Sequence, residues 1–490
     1  MRIYLTTTIP YVNARPHLGF ALELVQADVL ARHHRRRGDD VRLLTGTDDN
    51  SLKNVLAAKA AGVSTQDLVD RNAEAFARLR EPLDLSHDDF IRTSRDPRHR
   101  PGVERLWRAC AEAGDIYRKH YEGRYCVGCE RFFTADELVA GRCPEHGTEP
   151  PLIAEENWFF RLSRYEERLH ALISSGELRV EPAARRNEVL AFIAAGLEDF
   201  SISRTRTRAQ GWGIPVPDDP EQVIYVWWDA LGNYLTALGH GLADRSPYER
   251  WWVGADRRVH LVGKGVLRFH AVYWPAMLLS AGVPLPTDVL VHDYLTAEGQ
   301  KISKSAGVVV DPAELVSRFG TDAVRWWLLR EVPRVGDADF TVDRLVARSN
   351  EELANGLGNL VNRVVTMVHR FRAGVVPATA DAGPLATVCA AAPGAVDAAL
   401  SDFDFRAATA AVWAIVDEAN RCIDAVRPWE LAKGGRESAL DGVLGSLVVA
   451  GRVVAAELAP FLPDLAARVG AQCAEVDGRL PAPRPLVARL

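Results

Sequence analysis

Two segments nearly three hundred residues apart set the strongest demand on how this chain can fold. Pro16-His17-Leu18-Gly19-Phe20 follows a short apolar N-terminal segment, and Gly299-Gln300-Lys301-Ile302-Ser303-Lys304-Ser305 lies far downstream. A Gly/Ser loop carrying Lys301 and Lys304 suits a polyphosphate, whose negative charge it can clamp as that charge shifts between oxygens. A His-Leu-Gly turn opening a helix suits the same ligand from the other side, through backbone N–H groups and the positive end of the helix dipole. Together the two segments point to ATP activation.

The pattern around them is α/β. Residues 2–6 read as a short buried strand leading through Pro10 into a loop. From Leu18 onward, Leu22, Val25, Val29 and Leu30 recur at helical spacing. Val41 to Leu44, followed by Gly46-Thr47-Asp48-Asp49, reads as a second strand ending in a polar loop. This rhythm suits a parallel sheet, whose ligands gather at the carboxyl ends of the strands. Strand–loop–helix patterning resumes at Val223 to Trp228 and at Val259 to Lys264. After about Val346 the chain is rich in Ala, Leu and Val at helical spacing, as in a helix bundle.

At 490 residues the chain exceeds one compact core, and its 48% hydrophobic and 25% charged content is that of a globular protein. A net charge of −6 does not advertise nucleic-acid binding. Arg35-Arg36-Arg37 and the run Arg95 to Arg100 could form a local basic surface, although such runs are more often solvated helix faces. The start turns polar after five residues, unlike a secretory signal, and no uninterrupted apolar run reaches membrane length. A cytoplasmic location is the expectation. Of seven cysteines, three cluster: Cys126-Val127-Gly128-Cys129 and Cys143-Pro144-Glu145-His146. C-x₂-C followed by C-x₂-H supplies four ligands of the types tetrahedral zinc takes, with no open position, so the expected ion is structural. Cys110, Cys389, Cys422 and Cys473 read as core residues.

Thr7-Thr8-Ile9-Pro10-Tyr11-Val12-Asn13, His17-Leu18-Gly19, the Cys/His knuckle, Trp227-Trp228-Asp229-Ala230, Phe269-His270 and Lys301-Ile302-Ser303-Lys304-Ser305 occur in one order. That set resembles the methionyl-tRNA synthetases, a class I aminoacyl-tRNA synthetase family, from about residue 3 to about residue 440. The resemblance implies a Rossmann-like parallel-sheet catalytic domain (1–117 and 221–345) interrupted by a zinc-knuckle insertion (118–220). A helical anticodon-binding-like bundle (346–475) and a tail (476–490) would follow. It also implies methionine activation by ATP, with Mg²⁺, and transfer to tRNA. With little sequence after the bundle and no apolar run of membrane length, a monomer with no membrane partner is the expectation.

Matched motif by motif, Tyr11, Asp48, Trp227, Ala230, Tyr234 and His270 would form the amino-acid pocket. An aromatic wall suits a polarisable thioether, and a carboxylate suits the substrate ammonium. His17, Gly19, Glu23, Gly263, Lys301 and Lys304 would bind ATP, with His17, Lys301 and Lys304 acting in catalysis. Asn359 and Arg363, four apart on one helix face, and Trp429 would read the anticodon by hydrogen bonding and stacking.

Six positions depart from the family pattern. Phe20 stands where a second His is usual, Asp49-Asn50-Ser51 where the family has Glu-His-Gly, Gly265 where it has Asp, and Asp293 where it has Gly. These changes gather in segments near the nucleotide in the resembled family, where losing one charge-stabilising group costs about 10²–10³ in rate. Two alternatives follow. One is a paralogue that passes methionine or another amino acid to a small-molecule acceptor; the other is a non-catalytic tRNA-binding protein.

Overall fold

Strand Arg2–Thr7, buried almost throughout, pairs in parallel on one side with Asp40–Thr47 and on the other with Arg257–Gly263. The full sheet runs Asp89–Arg92, Asp40–Thr47, Arg2–Thr7, Arg257–Gly263, Asp288–His292, Arg179–Glu181, and every pairing is parallel. Ile3, Tyr4 and Leu5, then Val259, Leu261 and Val262, then Val289, Leu290 and Val291 are all buried. Such continuous apolar runs are what a sheet covered on both faces requires. Strand order reverses direction between Arg2–Thr7 and Arg257–Gly263, and that switch point opens a crevice at the carboxyl ends.

The computed structural model describes residues 1–129, 131–297, 299–302, 310–378 and 383–490. The chain forms two compact units. The first comprises Met1–Pro16, Asp39–Arg78 and His87–His292; the second comprises His17–Gly38, Leu79–Ser86 and Asp293–Leu490. The first unit holds the parallel sheet and an arm in which strand Ile116–Cys126 pairs antiparallel with Leu152–Phe160 and with Arg131–Phe133. Its core is strongly aromatic: Trp228 packs edge-on against Trp107 and Phe160, and Trp274 against Trp252.

Two elements differ from expectation. Arg179–Glu181, within the segment read as an insertion, is the edge strand of the parallel sheet. Asp219–Ile224 is a strand followed by helix Val226–Thr236, but it pairs antiparallel with Pro215–Val216 and Ser203–Thr205, outside the parallel sheet. Asp218, at φ +65°, turns the chain back on itself too tightly for a parallel crossover.

In the second unit, helix Leu18–Arg36 buries charged and polar residues as well as apolar ones. Asp28 is fully enclosed and pairs with the equally enclosed Arg325 at 2.9 Å. Arg325 also donates to the carbonyls of Leu83, Pro460 and Phe461, so its fork is satisfied on every side. A small sheet joins Leu295–Ala297 to Gln300–Lys301 and Ala338–Phe340, and helices from Val342 to Cys473 form the bundle. Two of them, Pro384–Ser401 and Glu437–Leu458, are long and apolar enough to cross a membrane. Both are bundle members, packed against each other and against Phe405–Val426. Tail residues Leu480 and Leu486 are buried, and Pro481 accepts a hydrogen bond from His369.

The arginine runs form neither a basic patch nor a free solvated face. Arg36 and Arg37 pair with Glu457, and Arg37 also with Asp397. Arg95 pairs with Asp70, and Arg98 with Asp89 and Asp96. Cys110, Cys389 and Cys473 are buried as expected, while Cys422 is only half-buried.

Candidate active site

Three neighbouring strand ends of the first unit deliver the amino-acid-pocket candidates. Tyr11 follows Arg2–Thr7, Asp48 follows Asp40–Thr47, and His270 follows Arg257–Gly263. Tyr11 and Asp48 form a parallel bridge, and the Asp48 N–H donates to the Pro10 carbonyl at 2.9 Å. Helix Val226–Thr236 carries Trp227, Ala230 and Tyr234 at i, i+3 and i+7, which places them on one face. Trp227 stacks on Phe269 with ring centres 3.8 Å apart, and Tyr11 lies 6.1 Å from Trp227 at 60°. The Trp227 indole N–H has no hydrogen-bond partner among the described residues.

Tyr234 and His270 meet at 2.8 Å through the phenol oxygen and Nε2. His270 Nδ1 lies 2.9 Å from the Val266 carbonyl, which can only accept. Nδ1 therefore carries the proton, and in the neutral ring Nε2 accepts from Tyr234. Behind Tyr234, His260 receives a bond from the Trp274 indole and bonds Thr6 at 2.6 Å. Burial, then the nearby His270, holds His260 well below the ordinary histidine range.

The acidic segment is held from several directions. Asp48 is buried, and its Oδ1 accepts from the Asn50 N–H at 3.1 Å. Asn54 donates to the carbonyls of both Asp48 and Asp49. Asp49 accepts from Arg92, Ser94 and Thr47; burial raises its carboxyl nonetheless, outweighing the pull of Arg92. Asn50 donates through Nδ2 to Asp229 at 2.7 Å, and Asp229 is in turn bonded to His99.

The nucleotide candidates fall in both units. His17 caps helix Leu18–Arg36, and a Cβ on Gly19 would lie 3.1 Å from the His17 ring, so glycine lets the imidazole fold against the first turn. The Leu18 N–H bonds the Val310 carbonyl at 2.9 Å, which ties the helix start to the chain just beyond the lysine loop. Glu23 is buried on that helix, and Phe20 is buried one turn before it. Lys301 ends strand Gln300–Lys301, whereas Lys304 lies outside the described residues. Gly263, in the first unit, ends its strand beside His292. Gly265 sits in the turn Lys264–Val266, and Asp293 accepts from the Gly336 N–H at 2.6 Å.

Cys126, Cys129, Cys143 and His146 place their donor atoms within 4.8 Å of one another. Cys129 Sγ lies 3.4 Å from Cys143 Sγ and 3.3 Å from His146 Nδ1; Cys143 and Cys126 lie 3.6 and 3.9 Å from that nitrogen. A zinc tetrahedron with bonds of about 2.3 Å to sulfur and 2.0–2.1 Å to nitrogen has edges of roughly 3.5–3.8 Å. The donor set fits zinc and fills all four positions. A Cβ at Gly128 would fall 2.6 Å from the His146 ring, so the knuckle needs glycine there. Among the described residues, Phe133 and Leu138 join the cysteine ligands in the knuckle's apolar cluster.

In the bundle, Asn359 is exposed at the start of helix Asn359–Arg372, and Arg363 pairs with Asp424 at 3.3 Å. Trp429, on helix Pro428–Lys433, is 41% exposed, unusual for so large an apolar side chain in a helical core.

Sequence reasoning missed His99, which it placed in a charge run, and gave Asp229 no role. The adjacency of Asp229 to Trp228 and Ala230 within one motif was the available signal.

This geometry, a parallel sheet whose switch point carries an aromatic pocket and a buried carboxylate, has known counterparts. The family described as "tRNA synthetases class I (M)" matches residues 3–151 and 145–365. The methionine–tRNA ligase of Caldanaerobacter subterraneus subsp. tengcongensis is 42% identical over 466 residues, covering 94% of this chain and 72% of that protein. That of Mycobacterium bovis is 43% identical over 481 residues, covering 95% and 91%. Among solved structures, Mycobacterium tuberculosis methionyl-tRNA synthetase bound by methionyl-adenylate superposes with a TM-score of 0.92 at 38% identity, covering 99% of this chain and 100% of that one. Its apo form gives 0.86 at 35% identity, covering 100% and 98%. The chain belongs to the class I tRNA synthetase family, in its methionyl branch.

Proposed function

We propose that this chain activates methionine with ATP, Mg²⁺ accompanying the nucleotide, and transfers the methionyl group from the adenylate to tRNA. The observation that carries this reading is the convergence of Tyr11, Asp48, Trp227, Ala230, Tyr234 and His270 around the sheet's switch point. Asp48 pairs with the substrate ammonium. Trp227 and Tyr11 flank the thioether, and the Tyr234–His270 pair supplies a polar spot in an otherwise aromatic wall.

His17, Gly19, Glu23, Gly263, Lys301 and Lys304 hold ATP. The methionine carboxylate attacks the α-phosphorus, the bond to the pyrophosphate oxygen breaks, and positioning and charge stabilisation do most of the work. Asn359, Arg363 and Trp429 contact the anticodon. The exposure of Trp429 supports a stacking role. Zinc on Cys126, Cys129, Cys143 and His146 is structural, holding the knuckle in shape. The protein acts as a cytoplasmic monomer.

A second reading, transfer to a small-molecule acceptor, is favoured by one set of observations: Phe20, Asn50, Gly265 and Asp293 all alter segments that serve ATP in the family. One experiment separates the two: ATP–pyrophosphate exchange across all twenty amino acids, followed by aminoacylation of bulk tRNA. Methionine-dependent exchange with tRNA charging supports the first reading. Strong exchange without charging refutes it. Phe20→His then reports whether the site has been rebuilt around Phe20, in which case exchange stays level or falls.

A further inference from the structure

The segment that carries Asp48 is tied down on both flanks, and one residue within it, Asn50, meets two carboxylates. Ser51 caps helix Leu52–Ala61 by accepting from the Lys53 N–H. Asn54 clamps the carbonyls of Asp48 and Asp49, and Trp212 donates to the Asp49 carbonyl at 2.8 Å. These contacts hold the carbonyls of Asp48 and Asp49 and the helix start after Ser51; the Asn50 peptide is held through its own side chain. Asn50 works in two directions at once. Its N–H holds Asp48 Oδ1, and its amide Nδ2 holds Asp229 Oδ2.

Asp229 is immobile for its own reasons. It is 1% exposed, and its other oxygen bonds His99 Nε2. His99 is itself fully enclosed, and its Nδ1 meets the Thr236 hydroxyl at 2.8 Å. The chain of bonds thus begins in the core, at the opening of helix His99–Glu112, crosses helix Val226–Thr236, and ends on the Asp48 carboxylate.

We propose that Asn50 is a positioning residue for Asp48, anchored through Asp229 to His99, and that it sets the direction in which the Asp48 carboxylate meets the substrate ammonium. The proposal rests on the assignment of Asp48 as ammonium partner under Proposed function. Asparagine suits the position because its side chain gives Asp229 a neutral donor and so holds the peptide whose N–H meets Asp48. Alanine would lose the donor, and aspartate would add a third negative charge. Histidine, the residue usual here in the family pattern, keeps a donor.

The test uses the full chain. ATP–pyrophosphate exchange is measured with amino acid and ATP varied separately, alongside thermal melting, for Asn50→Ala, Asn50→His and His99→Gln. Misdirecting a charged group typically costs up to about 10²-fold, so Asn50→Ala should raise the amino-acid KM about tenfold or more. A pure positioning effect leaves kcat and the ATP KM within about twofold. Asn50→His, and His99→Gln, whose amide still donates to Asp229, should stay within about threefold of the unaltered chain. The proposal is overturned if Asn50→Ala leaves the amino-acid KM within about twofold, or raises both KM values alike. It is also overturned if the KM change follows a melting change that Asn50→His fails to restore. Whether methionine supports exchange in the unaltered chain decides the functional reading. The ratio of variant to unaltered chain, taken with whichever amino acid supports exchange, decides this one.

Discussion

Stripping the metal from Cys126, Cys129, Cys143 and His146 is expected to unfold the knuckle while leaving the parallel sheet intact. The apolar material available there is small: Phe133 is buried, Leu138 packs only in part, and Phe132 packs on Tyr121 and Tyr125 of the neighbouring strand. Each contributes at most about 1.5–3 kcal/mol. A structural zinc on ligands of this kind contributes about 10–16 kcal/mol at neutral pH, so the ion supplies the larger share. Strand Ile116–Cys126 is paired with Leu152–Phe160 along nine residue pairs and does not depend on the metal. The loss should therefore stop near residues 127–148. Hydrogen exchange read by mass spectrometry, with and without a strong chelator, measures this directly. Amides in that window should exchange as in a free chain after chelation, while those of Arg2–Thr7 and Arg257–Gly263 keep their protection. Gly128→Ala, which replaces no ligand but would set a Cβ 2.6–2.7 Å from the His146 ring, its donor Nδ1 included, should weaken zinc retention by itself. Continued protection of the knuckle in metal-free protein would refute the reasoning.

Four further outcomes are expected. Tyr234→Phe strips His270 Nε2 of its 2.8 Å donor, and the amino-acid KM in exchange assays should reflect roughly 1–3 kcal/mol. Trp429→Ala should cost tRNA charging roughly 1–3 kcal/mol and leave pyrophosphate exchange unchanged. Arg325→Ala leaves the buried Asp28 with Arg32 and Ser86 but without its enclosed guanidinium, and urea unfolding should register a loss of up to about 3–5 kcal/mol. Acid should destabilise the fold: burial, then like charge nearby, pushes His33 and His240 down to about 4. The unfolded chain binds their protons near pH 6.5, so stability holds above that value and falls as pH drops toward 4, and His240→Phe should flatten part of the melting-temperature profile.

Local signals were legible in the sequence, and long-range pairings were not. The strand at residues 2–6, the helix from Leu18 and the Cys/His cluster follow from spacing, since periodicity and ligand chemistry act over a few residues, whereas Trp227, Ala230 and Tyr234 are picked out only by family resemblance. The antiparallel pairing of Asp219–Ile224 was hidden, because strand residues alone do not specify a partner's direction. His99 was missed for a related reason. Its carboxylate lies 130 residues onward, and within a basic run it looks like surface charge. Arg36 and Arg37 misled likewise, because Glu457 meets them only after the bundle folds.

The buried Asp28–Arg325 pair carries a consequence in time. Asp28 leaves the ribosome early, but its guanidinium follows 297 residues later, roughly 15–60 s at bacterial and eukaryotic elongation rates of about 5–20 residues per second. Two of the carbonyls that complete the guanidinium's shell, at Pro460 and Phe461, come later still. A nascent chain halted before residue 325 already contains every candidate of the amino-acid pocket. Its first helix, which starts at the His-Leu-Gly segment, still holds a carboxylate served by Arg32 and Ser86 and lacking its guanidinium from Arg325. Synthesis must be nearly finished before that helix can be locked in place, so the segment proposed to receive ATP is among the last parts of the molecule to mature.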